Sequence, residues 1–300
     1  MENKTERVGI MYAAAAYIIW GFLPIYWKVV DHVPAGEILA HRIIWSFLFM
    51  IIIILFLKKW PAFIQECKTI LLDRKKLLGI TMASVVISLN WLTYIWAVNS
   101  DHVIQASLGY YINPLVSILL AIIVLKEKLS KQQTFSVILA GIGVLYLTIS
   151  YGVFPWVSLT LAVSFALYGL FKKTVDIPPM FGLAIETMIV TPLAIIYLLI
   201  IPVNAFSTSD VTSSTNLLLF GAGVATAVPL LLFSSGAKRI PLAMVGFLQY
   251  FAPTIMLLLG IFVYHETFSQ AHLISFGFIW VALLIYLGSI YRHPIRKQTN

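Results

Sequence analysis

Residues 103–151 read VIQASLGYYINPLVSILLAIIVLKEKLSKQQTFSVILAGIGVLYLTISY, and residues 242–290 read LAMVGFLQYFAPTIMLLLGIFVYHETFSQAHLISFGFIWVALLIYLGSI. Laid over each other without a gap, 11 of these 49 positions are identical. Shared leucines say little in an apolar chain, but Tyr111 meets Tyr250, Pro114 meets Pro253, Glu127 meets Glu266 and Ser130 meets Ser269. The chain is therefore read as two copies of one unit, residues 1–151 and 152–300. Each copy carries five apolar segments, and an odd number of crossings sends the second copy through a bilayer in the opposite sense. Inverted repeats of this kind are the usual build of secondary transporters, with the substrate site between the halves near the midplane.

Composition supplies the bilayer that this reading supposes. Apolar residues make up 60% of the 300 and charged residues 11%, against roughly 25% charged in soluble domains. A hydrocarbon core about 30 Å thick asks for apolar runs of about 17–25 residues. Ten are read, at 8–27, 37–57, 77–99, 103–125, 132–151, 155–171, 179–201, 217–236, 241–264 and 271–291. The expected fold is an all-α integral membrane bundle of ten transmembrane helices. The longest connections are 58–76 and 202–216, too short for a soluble domain, and no cleaved signal peptide is expected. The single cysteine, Cys67, leaves no internal disulfide to form.

Charge sets the orientation. A net charge of +8 would suit nucleic acid, but its distribution points elsewhere. With the N-terminus in the cytoplasm, 18 of the 20 Lys and Arg fall on the inner side, leaving Lys28 and Arg42. The positive-inside rule then makes both termini cytoplasmic. Lys126-Glu127-Lys128 follows the fourth span on the inner side, while its copy His265-Glu266-Thr267 has lost both lysines, as an inverted copy should.

Polar residues inside the spans are the candidates for function. Proline removes the hydrogen bond to the carbonyl four residues back, so Pro114 frees the carbonyl of Tyr110 and Pro253 that of Gln249. Both kinks sit beside Tyr111 and Tyr250, which places Tyr110, Tyr111, Asn113, Gln249 and Tyr250 around an expected central cavity. In the third span Asn90 and Tyr94 share a helical face with Trp91 adjoining, an amide, a phenol and an indole suited to orienting a small solute. Trp96 lies further out and is read as an interfacial anchor. Ionisable groups within spans usually face a bundle interior or a pathway. Glu186 stands in the seventh span; Glu37 and His41, four apart in the second, can share a proton. Arg42 is read as a partner for Glu186 or as an anion site. Glu37, His41, Arg42, Glu186, Pro114 and Pro253 are accordingly the coupling and gating candidates. Glu127 and Glu266 are read as architectural, and Ser130-x-x-Gln133 with its weaker copy Ser269-x-x-His272 as capping boxes. Lys172-Lys173 and Lys238-Arg239 are read as topology determinants and lipid contacts, and Gly141-x-Gly143 as a site of close helix packing.

A family resemblance rests on the run Asn90-Trp91 through Tyr94-Ile95-Trp96-Ala97-Val98-Asn99 and on Ala106-Ser107-Leu108-Gly109-Tyr110-Tyr111-Ile112-Asn113-Pro114-Leu115. Together with Gly246-Phe247-Leu248-Gln249-Tyr250, Pro253-Thr254, Glu37 through His41-Arg42, and Trp20-Gly21, it resembles the RarD group of the EamA family in the drug/metabolite transporter superfamily. The resemblance implies a ten-helix permease of the bacterial inner membrane.

Three function classes can be compared. A channel would carry a continuous polar or charged ring, which these spans do not assemble. An enzyme would need a catalytic constellation, and neither a metal-ligand spacing nor a phosphate-binding loop is present in the sequence. The expectation is a secondary active permease for a small organic metabolite or drug-like solute, working by alternating access, with Glu186, Glu37 and His41 the carriers that proton coupling would use. A passive facilitator or a membrane sensor is the alternative. No cofactor, metal or nucleic acid is expected; the partners are the lipid bilayer and the solute.

Overall fold

A computed structural model describes residues 2–99, 103–150, 152, 154–202, 204–206, 213–265 and 269–292. Among the described residues there are twelve helices and no strand: α1 (Glu2–Val29), α2 (Ala35–Phe56), α3 (Trp60–Leu72), α4 (Arg74–Asn99), α5 (Val103–Ile123), α6 (Lys131–Ser150), α7 (Trp156–Thr174), α8 (Pro179–Ile200), α9 (Ser214–Ala237), α10 (Leu242–Leu248), α11 (Phe251–Phe262) and α12 (Gln270–Arg292). Eight stretches are long and apolar enough to cross a membrane: α1, α2, α4, α6, α8, α9, α10 with α11, and α12. Ser107–Ile123 in α5 is apolar but shorter, and α7, 19 residues long, ends on Lys172 and Lys173.

Two elements depart from the ten-segment reading. The first is α3, inside the connection read at 58–76. Phe63 and Ile70, seven apart on one helical face, are buried there, with Phe63 against Phe181 of α8 at 5.8 Å. Asp73 then caps α4, its carboxylate accepting the N–H groups of Lys75 and Lys76 at 2.8 and 3.2 Å. The second is the break between α10 and α11 at Gln249 and Tyr250, ahead of Pro253. Pro114, its equivalent, stays inside an unbroken α5. The carbonyl of Gln249 is not left free: it accepts from the Ala252 N–H at 3.2 Å, a tighter turn taking the place of the bond that proline removes.

The duplicated sequence folds to duplicated detail. Lys126 and His265 both adopt the left-handed conformation, at φ 53° and 52°, a common way to end a helix. The N–H groups of Val124 and Leu125 both bond to the Leu120 carbonyl, and those of Val263 and Tyr264 to the Leu259 carbonyl. Both boxes form after these turns. Ser130 and Gln133 exchange bonds at 2.8 and 3.2 Å, while Ser269 Oγ lies 2.7 Å from His272 Nδ1 and accepts its N–H at 3.4 Å. Glu266 lies outside the described residues.

Packing is dominated by contacts between the two halves. Let α1 correspond to α7, α2 to α8, α4 to α9, α5 to α10 and α11, and α6 to α12. Then α6 on α12, α2 on α8 and α5 on α10 are each their own image; α1 on α9 is matched by α4 on α7, α5 on α7 by α1 on α11, and α2 on α9 by α4 on α8. Small residues let these helices approach. A Cβ on Gly223 would stand 2.4 Å from the carbonyl carbon of Trp45, and one on Gly246 would stand 2.9 Å from the carbonyl oxygen of Pro114. Of Gly141 and Gly143, only Gly143 makes such an approach, to the Ser275 carbonyl; Gly141 meets nothing.

Candidate functional site

Arg42 organises the polar interior. It sits eight residues into α2, about 10 Å below that helix's first residue, and turns inward. Its Nε–H donates to Thr226 Oγ1 of α9 at 2.9 Å. Its guanidinium carbon lies 4.6 Å from the ring centre of Trp27 in α1 and 5.7 Å from that of Trp91 in α4, within the range of cation–π attraction. Tyr94 and Tyr110 belong to the electrostatic surroundings of this guanidinium. These two tyrosines, from α4 and α5, meet edge to face at 6.3 Å. Beside this half-buried arginine, Tyr94 is 37% and Tyr110 38% exposed.

Only part of the expected set gathers here. Arg42, Trp91, Tyr94 and Tyr110 come together; Trp27 and Thr226 join them without having been singled out. Asn90 is turned away, its amide donating to the Leu161 carbonyl at 2.9 Å and to Ser164 Oγ at 3.0 Å, which ties α4 to α7. Gln249 bonds to Ser117 of α5 across the α5–α10 packing. Tyr111 is buried edge-on against Phe276 of α12 at 5.2 Å. Tyr250 is 1% exposed, and its hydroxyl, like Asn113 Oδ1, is buried without a hydrogen-bond partner among the described residues. Pro114 and Pro253 are both buried in helix packing. Trp96 packs on Trp156 at 5.2 Å.

Above Arg42, Glu37 and His41 hold the segment that follows α8. Glu37 Oε1 accepts the N–H groups of Ala205 and Phe206 at 2.7 and 3.3 Å. The Trp45 indole N–H donates to His41 Nδ1 at 3.1 Å, so the ring proton belongs on Nε2, which stands 3.8 Å from Glu37 Oε1. Phe206 stacks on His41 at 5.2 Å. Both ionisable side chains are at most 5% exposed and so face the bundle interior.

Below the site, Glu186 has a local base after all. Lys172 Nζ donates to its Oε1 at 2.8 Å and the Tyr168 hydroxyl to its Oε2 at 3.0 Å, the ion pair being 5% and 4% exposed. Arg42 is therefore not its partner, and Lys172 is not a lipid contact. The signal was available: Lys172 lies one turn after Tyr168 on the same face of α7. Two small cavities adjoin this pair. One is lined by Trp91, Tyr168, Glu186 and Leu230, the other by Glu186, Lys172, Val175 and Lys238. Trp91 thus borders both the Arg42 cluster and the upper cavity, and Glu186 borders both cavities. Near the inner surface, Lys238 donates to the Val175 carbonyl, Lys173 to the Ile240 carbonyl, and Glu127 accepts the Leu242 and Ala243 N–H groups at 2.8 and 3.0 Å. Glu127 caps a helix of the opposite half, which is an architectural role. Burial pulls the Lys238 ammonium below its ordinary range. No cluster of metal-ligating side chains occurs among the described residues.

The sequence profile of the EamA-like transporter family matches residues 7–149 and again residues 155–288. The chain belongs to the EamA-like transporter family. Within that family it falls in the RarD group: it is 43% identical to Protein RarD of Escherichia coli (strain K12) over 288 residues, 96% of each chain. It is 50% identical to the transporter YojE of Bacillus subtilis (strain 168) over 293 residues, again 96% of each. A solved crystal structure superposes with a TM-score of 0.74 over 95% of this chain and 99% of its own at 15% identity, which shows a shared fold. An EamA-family protein with these helices is a multi-pass transporter of the bacterial inner membrane.

Proposed function

We propose that the chain is a secondary active permease that moves a small organic solute by alternating access, its halves 1–151 and 152–300 forming ten spans of opposite sense with both termini cytoplasmic. The observation that carries this reading is vertical. A half-buried arginine ringed by aromatic and hydroxyl groups lies above two cavities, and a buried Lys172–Glu186 pair stands where the two cavities meet. A solute held at Arg42, Trp91, Tyr94 and Tyr110 meets Glu37, His41 and Phe206 on the outer side and Glu186 with Lys172 on the inner side. Separating Lys172 from Glu186 joins the upper cavity to the lower one and so to the inner surface; releasing residues 205–206 from Glu37 opens the outer end. Tight packing of α2 on α9 makes these two arrangements discrete, because packed interfaces switch between states and do not deform smoothly.

Proton coupling enters through Glu186. Protonating it removes the charge that holds Lys172, so a proton and the inner opening are linked. The test is counterflow in proteoliposomes with amino acids, nucleobases and amphipathic drugs, with and without a pH gradient. The reading predicts saturable exchange of at least one solute class, accelerated by the gradient in the wild type and insensitive to it in Glu186→Gln. Folded protein that moves no solute faster than lipid alone contradicts transport and leaves the sensor alternative. Gradient-independent flux that never shows counterflow favours a passive facilitator.

A further inference from the structure

We propose that the Arg42 site takes an organic anion, a single carboxylate carried on an aromatic ring; this rests on the permease reading and names the solute's chemistry. Arg42 is a cation in an apolar bundle, and among the described residues no carboxylate lies within 4.0 Å of it. The nearest acid on its own helix, Glu37, is committed to the N–H groups of Ala205 and Phe206. Glu186 is committed to Lys172 and Tyr168. Arg42 is half-buried, and a charge partly withdrawn from water without a counter-ion is unfavourable unless something else compensates it; an anionic solute supplies the missing charge. Of the guanidinium's N–H groups, the hydrogen bond to Thr226 engages only that on Nε. The four on the terminal nitrogens can grip a carboxylate as a fork.

The surroundings select the rest of the solute. The walls are Trp27, Trp91, Tyr94 and Tyr110, flat surfaces that suit a ring, with the two phenol hydroxyls on hand as donors to the carboxylate's remaining lone pairs. An aromatic cage of this kind could hold an ammonium, but the guanidinium already lies over the Trp27 ring, and its charge repels a second cation. Dianions such as phosphate esters would want another cation; Lys28, the other basic residue outside the inner loops, lies over Tyr264.

The experiment uses the full chain in lipid nanodiscs and three probes with one carbon skeleton: phenylacetate, phenylacetamide and phenethylammonium. Binding is followed by tryptophan fluorescence, since Trp27 and Trp91 flank the guanidinium. Phenylacetate should bind about tenfold or more tighter than the amide, as for a charge-assisted bond, and phenethylammonium should not bind. Arg42→Gln should bring acid and amide to within about twofold, while Arg42→Lys keeps the preference for the acid, which separates charge recognition from a folding defect. Equal binding of acid and amide, preference for the ammonium, an undiminished preference in Arg42→Gln, or no binding of any probe overturns the proposal. Counterflow keeps the two readings apart. Transport that ignores the charge series sinks the anion proposal alone; Arg42-dependent binding of phenylacetate without its exchange sinks the permease reading alone.

Discussion

Glu186 and Lys172 are two residues whose meaning changes on folding. Along the chain the lysine belongs to a basic pair at a helix end, where it reads as a topology marker, and the glutamate stands alone in an apolar span. In the fold they form a 2.8 Å ion pair with almost no exposure. Such a pair stabilises little over an apolar replacement, yet removing one partner strands the other charge, at about 3–5 kcal/mol. Glu186→Gln and Lys172→Met should each lower the unfolding midpoint in detergent markedly, and the double variant should recover most of the loss. Additive losses in the double variant would mean that the two side chains do not act as a pair. Tyr94, Tyr110, Trp91 and Arg42 were legible because each is a polar or aromatic group at span depth. Trp27 and Thr226 were not, since a tryptophan near a span's end and a threonine within one are ordinary in any bundle. Asn90 stands out in the sequence as Tyr94 does, and in the fold its amide bonds to the Leu161 carbonyl, a partner that sequence alone does not reveal.

At the scale of elements, hydropathy and repeat together located the long helices, the paired prolines and both Ser-x-x caps. The α3 helix was missed because an interfacial helix of 13 residues has too little apolar length to register as a span. Its burial of Phe63 and Ile70 was written only in their spacing. The split of α10 from α11 was equally invisible: Pro114 and Pro253 occupy equivalent positions, and the outcome differs because tertiary packing decides whether a proline bends a helix or breaks it. The same helix offers a test of orientation. Cys67 lies on α3 and is half-buried, its thiol raised by burial first and by Glu66 second. A membrane-impermeant maleimide should therefore label it only from the cytoplasmic face. The rate should be below that of an exposed cysteine at neutral pH and rise about tenfold per pH unit below the thiol's pKa as thiolate accumulates. Labelling from the periplasmic face would reverse the assigned topology.

The whole molecule is two copies of one unit with unlike side chains at equivalent places. The left-handed turns at Lys126 and His265 and the mirrored helix pairings preserve the duplication. The charged groups do not: Arg42 stands eight residues into α2, while at the same depth of α8 Glu186 pairs with Lys172 of α7. On the proposed permease reading, this symmetric scaffold carries a different lock at each end, so that one end opens while the other holds. Spin labels in a Cys67→Ser background, at Val29 with Leu199 for the outer end and at Lys128 with Asp176 for the inner end, read both openings in one protein. Pulsed electron–electron distance measurement on Glu186→Gln against the parent should show the inner pair moving apart and the outer pair drawing together. Unchanged distances, or both pairs moving in the same direction, would contradict the account.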